Sequence, residues 1–441
     1  MKKTRFFYGK NYFLSVLLCW LLLLDAAVQF NLGQAQEKDT KLEEKSGDEE
    51  SSLAQEKPSG AAQAAQSEQT AVVPETPEPV LSENPSIRVL LMDSSYGTYY
   101  HPSVTVEICG ETSAYDVDSP ELADGPVILD GGEEGICISS IKRQENPPVY
   151  QGKLEISKTS RGLLLINELP LESYLEAVVP SEMPASYEKE ALMAQAVCAR
   201  TYAKKQMEEG TLKEEYGADV DDSVNYQVYR NISPKEQTSE AVKETEGKVM
   251  CQEGELITAY YFSTSAGTTS TDEVWGAEEA APYLKSVECD FDAEEPWSRW
   301  SVEIPWDTVN DRACSLDGCS GALLSLQIVK KSQSGAVTGL LVTTEGGSSE
   351  LSQEYDIRRF LSPRGLTITE KDGTQTKGGA LLPSAYFSLD ANEGSSFLIQ
   401  GAGYGHGVGM SQTAANEMAK EGYSCEEILQ YFFKDIEIVT E

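Results

Sequence analysis

The sequence predicts an α+β fold with a largely antiparallel sheet. Short strand-like segments separated by glycine-rich turns fill residues 86–166 and 297–395, and helical periodicity is concentrated in residues 169–206. Because these helices and strands do not alternate as βαβ units, a parallel α/β sheet is not expected. With 441 residues, the chain is long enough for two or three domains and a large core.

The N-terminus has the composition of a targeting segment. Basic residues precede the apolar run 12–24, which is shorter than the roughly 20 residues that span a bilayer comfortably. Asp25 interrupts the run, and residues 33–35 (GQA) form an acceptable cleavage site. Residues 1–30 are therefore a signal anchor or a cleaved signal peptide, and in both cases the rest of the chain is exported.

Residues 31–85 are predicted to form a disordered acidic linker. They combine many acidic side chains with lysine, alanine, glutamine, serine and several prolines, and they show no apolar periodicity. A segment with so little apolar surface cannot offset the entropy cost of folding. The linker would hold the ordered part, residues 86–441, away from the membrane.

The ordered part divides into four segments by pattern. Residues 86–166 form an N-terminal β part, and residues 167–296 hold a helix pair with further strands. Residues 297–395 are a β-rich insertion, and residues 396–441 hold a glycine-rich loop and C-terminal helices, one of which begins with the capping box Ser424-x-x-Glu427. The strands expected in the first segment are 87–91, 104–108, 126–129, 136–141, 153–156 and 163–166.

The helix pair has a stiff break between its two helices. An apolar stripe at helical spacing marks the first helix: Leu171, Tyr174, Leu175 and Val178. Pro184 is expected to restart a helix, and Met183, which precedes this proline, should be non-helical. Glu182 is therefore expected to project from a rigid corner at a helix start.

Residues 403–412 (GYGHGVGMSQ) form a second unusual segment. Its alternate glycines allow the backbone to approach a ligand closely, and a tight turn packed on a neighbouring strand is the alternative. His406 is one of only two histidines in the chain. Ser411 and Gln412 offer a hydroxyl and an amide at a helix start.

Together, residues 169–206 and 403–412 resemble the stage II sporulation protein D family of peptidoglycan lytic transglycosylases and related wall-enzyme modifiers. The resemblance covers most of residues 86–441. Residues 181–184 (SEMP) match the catalytic glutamate motif of this family, which implies that Glu182 is the catalytic acid. Without the resemblance, an acid at this position would more simply support a helix end.

The resemblance also implies that the loop faces Glu182 across a glycan groove. The substrate-binding residues that it implies are Tyr404, His406, Ser411, Gln412, Gln195 and Arg200. For Gln195 and Arg200, a buried hydrogen-bond network between helix and sheet is an open alternative. A helix N-terminus would lower the pKa of Glu182, whereas a general acid needs a raised pKa, so apolar burial by Val178, Val179, Met183 and Tyr404 would have to dominate.

The implied activity is cleavage of peptidoglycan glycan strands, especially strands stripped of their peptides. The family acts beside a partner amidase or endopeptidase during engulfment of the forespore. A lytic transglycosylase needs no water, so one glutamate can protonate the glycosidic oxygen and then accept the proton of the muramyl C6 hydroxyl. Two alternatives stay open: a non-catalytic wall-binding enhancer of an amidase, and a structural surface protein with an acidic stalk.

Composition excludes several other functions. The formal net charge of −37 argues against a nucleic-acid partner but tolerates a neutral glycan. No cofactor is expected, because the chain lacks phosphate-binding and dinucleotide-binding motifs. Some relatives carry a zinc cluster around residues 262–269, but this segment has no histidine or cysteine, so no metal site is expected. The nine cysteines are scattered without a CxxC motif, and their pairing cannot be read from the sequence.

The targeting segment generates a testable prediction. The expected location is the cell membrane, with a single span and an extracytoplasmic ectodomain, and secretion to the cell wall is the alternative. In cell fractionation, most of the full-length protein should remain with the membranes and keep its N-terminus. A mature N-terminus at Gln36 would show a cleaved signal instead.

Overall fold

A computed structural model describes residues 84–223, 226–392 and 394–441. The expected signal segment and nearly all of the expected acidic linker lie outside the described residues. Within the described ranges, no helix is long and apolar enough to cross a membrane.

The N-terminal part is built from antiparallel strands, as the sequence predicts. The strands are β1 (Ser86–Leu90), β2 (Ser103–Ile108), β3 (Glu111–Asp116), β4 (Val127–Asp130), β5 (Ile136–Ile138), β6 (Val149–Tyr150), β7 (Lys153–Thr159) and β8 (Gly162–Pro170). Strand β8 is buried over most of its length, pairs with β1 and β7, and leads the chain directly into the first helix. Strand β3 was not predicted, because its side chains are mostly exposed and polar and show no apolar alternation.

The middle part contains the helix pair and several short strands. Its elements are α1 (Leu171–Glu182), α2 (Lys189–Glu209), α3 (Lys213–Tyr216), β9 (Val220–Asp221), α4 (Glu236–Glu244), β10 (Lys248–Gln252), β11 (Glu255–Leu256), β12 (Tyr261–Phe262), β13 (Gly267–Thr268) and β14 (Glu288–Cys289). Helix α2 packs against α1, α4 and β10. Small residues such as Ala196 and Ala199 allow this close approach from several sides. Cys198 of α2 is fully buried, and all cysteines of the described ranges are unpaired.

The start of the second helix is the main correction to the sequence analysis. Met183 is extended, as its place before a proline predicts. However, Pro184 begins only a single turn, closed by the N–H of Tyr187 on the Pro184 carbonyl at 3.0 Å, and helix α2 begins at Lys189. Glu182 is the last residue of α1, so it lies at the C-terminal end of a helix and not at a helix start.

The β-rich insertion has a hydrophobic core of its own. It contains β15 (Trp300–Pro305), α5 (Trp306–Ala313), β16 (Leu323–Lys331), β17 (Val337–Thr344), β18 (Gly347–Leu351), α6 (Glu354–Phe360), β19 (Thr367–Glu370), β20 (Gln375–Lys377), β21 (Phe387–Asn392) and β22 (Ser396–Gly401). One sheet has the order β20-β19-β15-β22-β21, and β16, β17 and β18 form another.

The C-terminal part returns to the core of the helix pair. It contains β23 (Met410–Ser411), α7 (Gln412–Lys420), α8 (Cys425–Phe432) and β24 (Glu437–Thr440). Strand β23 pairs with β12 in parallel, and β24 pairs with β10. The capping box of Ser424 and Glu427 is present at the start of α8. This return brings the glycine-rich loop next to the end of α1.

Candidate active site

The end of helix α1 is held from outside the helix. The last carbonyl groups of a helix have no partner within it. The side-chain amide of Gln412 donates to the main-chain carbonyl of Glu182 at 3.1 Å. Gln412, at the first position of α7, therefore positions the residue that carries the candidate acid.

The carboxyl group of Glu182 is hydrogen-bonded on one side only. The main-chain N–H of Val228 donates to Oε1 at 2.8 Å, and the hydroxyl of Tyr261 donates to the same oxygen at 3.1 Å. Oε2 is buried and has no hydrogen-bond partner among the described residues. Although Glu182 as a whole is partly exposed, the exposed surface does not include Oε2. This arrangement suits a protonated carboxyl whose Oε2 carries the proton.

Burial raises the pKa of Glu182 from 4.5 to about 7. The Val228 N–H, the charge of Arg230 and the Tyr261 hydroxyl act in the opposite direction, because each stabilises the carboxylate. The position at a helix C-terminus also favours the uncharged acid, which reverses the dipole effect expected from the sequence. Val178, Val179 and Met183, which were expected to form an apolar wall, are buried. A large fraction of Glu182 is therefore protonated near neutral pH.

Tyr261 is oriented by further hydrogen bonds. The amide of Gln227 donates to the Tyr261 oxygen and to the Ala199 carbonyl, both at 3.2 Å, and accepts from the Tyr174 hydroxyl at 3.4 Å. Burial raises the pKa of Tyr261 well above its ordinary value. Tyr261 is thus a neutral, fixed donor to Glu182.

Arg230 brings a buried positive charge to the same site. It is 3% exposed, and its Nη1 donates to the side chain of Gln144 at 3.2 Å. Its Nε is buried without a hydrogen-bond partner in the described ranges. Burial lowers the pKa of Arg230, while the charges of Glu182, Tyr96 and Tyr404 raise it, so these groups lie within electrostatic reach.

Sequence reasoning missed Val228, Tyr261 and Arg230. The available signal was the run 226–230 (YQVYR), in which an arginine directly follows a segment rich in aromatic and apolar residues. The structure buries this run without placing it in a helix or strand. Its main-chain groups therefore need partners from other parts of the chain, and one of these partners is Glu182.

The glycine-rich loop packs against residues 260–270. Thr264 and Tyr404 exchange main-chain hydrogen bonds of 3.0 and 2.8 Å. At Gly409, which has a φ of 81°, an added Cβ would lie 2.0 Å from the Tyr260 carbonyl oxygen. The glycines thus allow the loop to lie directly on a neighbouring strand, which was the alternative to close approach of a ligand.

His406 holds this loop in an aromatic pocket. Its ring lies 5.1, 5.8 and 6.4 Å, between centroids, from the rings of Trp275, Phe262 and Tyr260. Its Nδ1 accepts the N–H of Val408 at 3.1 Å. Burial, with a smaller effect from the charge of Arg358, lowers the pKa of His406 to about 3, so the ring is neutral. These contacts fix the loop in place, and contact of His406 with substrate stays a prediction.

Tyr404 belongs to the same loop, and its side chain packs against Trp297. It is 7% exposed, and its ring meets Trp297 edge-on with centroids 4.6 Å apart. Tyr404 lies within electrostatic reach of Arg230. Contact with a sugar ring stays a prediction for this residue.

Ser411 belongs to a buried cluster around Asp292. The Asp292 carboxylate, which is 1% exposed, accepts hydrogen bonds from Ser411 Oγ at 2.7 Å and Thr413 Oγ1 at 3.0 Å. It also accepts from the main chain and hydroxyl of Ser265, at 2.7 and 2.6 Å. The cluster ties the turn at residues 262–269 to the start of α7. Among the described residues, no group of three acid, histidine or cysteine side chains is arranged to hold a metal.

Arg200 and Gln195 take part in buried networks, which were the alternative to substrate binding. Arg200 is 1% exposed and holds the Glu172 carboxylate with bonds of 2.6 and 2.7 Å. Gln195 is fully buried and accepts from the Gln412 amide at 3.4 Å. Gln195 therefore supports the residue that caps α1, and the contacts of Arg200 tie α2 to α1.

Known proteins show similarity to most of the described chain. A family model described as stage II sporulation protein matches residues 159–251, and one described as a domain of unknown function matches residues 286–409. The chain is 30% identical over 286 residues to stage II sporulation protein D of Bacillus subtilis, covering 62% of this chain and 75% of the relative. Identity to the protein of the same name in Bacillus amyloliquefaciens is 32%, with the same coverage. A Bacillus subtilis protein named amidase enhancer is 28% identical over 74% of this chain and 53% of its own length.

The pKa of Glu182 predicts how stability depends on pH. Because the folded pKa of about 7 exceeds the unfolded value of 4.5, Glu182 stabilises the fold below pH 4.5, and this contribution is lost as pH rises through 7. In Glu182→Gln no carboxyl group titrates at this position, so the variant does not lose this stability as pH rises. Its free energy of unfolding relative to wild type should rise by about 1–3 kcal/mol between about pH 5 and about pH 8. Urea denaturation measures this, and a pH-independent difference would contradict the raised pKa.

The side chains clustered around Asp292 offer only oxygen atoms, which predicts that the protein holds no structural zinc there. Structural zinc prefers four nitrogen or sulfur ligands, which the turn at residues 262–269 does not offer. Elemental analysis of the purified protein should therefore find far less than one zinc per chain. A stoichiometric zinc that chelators remove with loss of folding would overturn this expectation.

Proposed function

The chain belongs to the stage II sporulation protein D family, and from this membership we propose that it is a lytic transglycosylase that cleaves peptidoglycan glycan strands during sporulation. The observation that carries the proposal is the Glu182 carboxyl. Two donors hold Oε1, while Oε2 is buried and unpartnered within the described ranges. With a pKa of about 7, this group can both donate and accept a proton at neutral pH.

In the proposed reaction, Glu182 acts twice. Its Oε2 first donates a proton to the glycosidic oxygen as the bond from that oxygen to C1 of the muramyl residue breaks. The carboxylate then accepts the proton of the muramyl C6 hydroxyl, and the C6 oxygen forms the new bond to C1. The strand therefore ends in a 1,6-anhydro-muramyl residue, and no water is consumed.

The surroundings of Glu182 support both steps. Burial keeps the acid protonated before the reaction, and the Val228 N–H, the Tyr261 hydroxyl and the charge of Arg230 stabilise the carboxylate once the proton has left. Since Oε1 is held by two segments of the chain, the proton-bearing oxygen keeps one orientation. Such orientation supplies part of the rate enhancement.

A transglycosylase differs from most hydrolases in that a single carboxyl group is enough for its reaction. Most glycoside hydrolases use two carboxyl groups, one of which activates water or forms a covalent intermediate. In the described ranges, the hydrogen-bond partners of the Glu182 side chain are a main-chain N–H and a tyrosine. The C6 hydroxyl, already part of the sugar, takes the place of an activated water.

The proposal includes a place of action. The basic and apolar N-terminus with the acidic segment behind it would hold residues 86–441 outside the cytoplasm at the membrane, with secretion to the wall as the alternative. We propose an amidase or endopeptidase as partner during forespore engulfment, and the similarity to a protein named amidase enhancer supports the amidase.

That similarity also supports a second candidate function. A non-catalytic wall-binding protein that stimulates an amidase would fit the name of this relative. Such a protein has no need of a proton donor. The two functions therefore differ in their dependence on the Glu182 carboxyl.

Glu182→Gln tests the proposal. Glutamine keeps the size of the side chain but cannot exchange the proton, so formation of anhydro ends should fall by about 10²–10⁴-fold, near the upper end because one group serves both steps. Folding and glycan binding should change little. The assay is mass spectrometry of sugar ends after incubation with peptide-free strands, and Glu176→Gln on the same helix is the matched control.

Two results would count against the proposal. Full activity of Glu182→Gln would remove the mechanism and favour the amidase enhancer. Reducing ends in place of anhydro ends would identify a hydrolase.

A further inference from the structure

Arg230 differs from the other deeply buried arginines of the described chain. Arg143 pairs with Asp222, Arg200 with Glu172 and Arg358 with Glu354. Arg230 is equally buried, yet no carboxylate of the described residues lies within salt-bridge distance of it. A buried cation without a counter-ion is costly, and this cost is offset when an anion binds.

The guanidinium of Arg230 donates one hydrogen bond and keeps an unused donor. Gln144 accepts from Nη1 at 3.2 Å, and the buried Nε has no hydrogen-bond partner in the described ranges. Glu182 and Tyr404, which belong to the candidate active site, lie within electrostatic reach of the Arg230 guanidinium. Val228, two residues earlier, donates to Glu182. One short segment therefore places both a donor on the acid and an unpaired cation beside it.

We propose that Arg230 binds the free lactyl carboxylate of a muramyl residue at the cleavage site and thereby selects strands without peptides. This inference rests on the proposed function. In a peptide-free strand the lactyl group is an anion, whereas a stem peptide converts it to an uncharged amide. A guanidinium binds a carboxylate through directed, charge-assisted hydrogen bonds, for which Nε offers an unused donor. Arg230 is thus a specificity-determining residue.

Binding of the lactyl carboxylate to Arg230 would also raise the pKa of Glu182. The positive charge of Arg230 favours the ionised form of Glu182. A bound carboxylate neutralises that charge, so Glu182 stays protonated to a higher pH in the complex. The fall of kcat with rising pH should therefore occur at higher pH with the free acid than with an amidated strand.

A pair of matched substrates tests this subsite. Peptide-free glycan strands are compared with the same strands after conversion of their lactyl carboxylates to primary amides. Wild-type protein should cleave the free acid with a kcat/KM roughly 10–100-fold higher, as expected for loss of a charge-assisted hydrogen bond. Arg230→Gln should reduce this ratio to near one and remove the difference between the two pH profiles.

Two further variants separate the subsite from general effects. Arg161→Gln removes the same charge from a side chain that is 63% exposed, and it should keep the wild-type ratio. Gln144→Ala leaves Arg230 in place but removes its hydrogen-bond acceptor, so it should lower the ratio partially. Because Gln144 is exposed, this variant also reports on the subsite if Arg230→Gln does not fold.

The outcomes distinguish the subsite from the reaction. If wild type cleaves both strands equally, or Arg230→Gln slows both equally, the inference is wrong while the proposed function stands. If wild type cleaves neither strand, the proposed function fails. The subsite is then tested by calorimetry of the binding of the two strands. The subsite is supported if Glu182→Gln binds the free-acid strand more tightly than the amidated strand and the Glu182→Gln/Arg230→Gln double variant does not. Equal binding of the two strands by Glu182→Gln overturns the subsite.

Discussion

The one-sided hydrogen bonding of the Glu182 carboxyl is the constraint on which the site depends. Val228 and Tyr261 reach Oε1 from two separate segments, so the carboxyl cannot rotate without breaking bonds in a buried place. Oε2 is left as the atom that carries and transfers the proton. Burial and the C-terminal end of α1 favour the acid, whereas the two donors and Arg230 favour the carboxylate. The balance places the pKa near 7, where a single group can act as acid and then as base.

Elements far from Glu182 in the sequence maintain this constraint. Gln412, at the start of α7, caps the end of α1, and Gln195 supports Gln412 from α2. The glycine-rich loop lies on the segment that carries Tyr261, and the aromatic pocket of His406 fastens the loop there. The hydroxyl cluster on Asp292 ties the adjoining turn to α7. The loop thus acts as a scaffold for the donor side of the site, which explains its glycines without a direct contact between each of them and substrate.

Local patterns in the sequence predicted the elements but not the contacts between them. The apolar stripe predicted α1, and the proline after Met183 predicted its end. The Ser424 capping box predicted the start of α8. The predicted start of α2 is wrong because Pro184 alone does not begin a helix here. Helix α2 begins at Lys189, and the N–H of Glu188 is satisfied by Asn416 from α7. That error also reversed the dipole effect on Glu182. Val228 and Tyr261 are 46 and 79 residues from Glu182, a separation that no local pattern reports.

In the proposed reaction, one carboxyl group cleaves the strand without activating water. The most direct test is cleavage of peptide-free glycan in water enriched in oxygen-18, with the masses of the new ends measured. The new anhydro ends should contain no oxygen-18, because the C6 hydroxyl of the sugar supplies the attacking oxygen. Ends that carry one oxygen-18 atom would show attack by water and would rule out a transglycosylase.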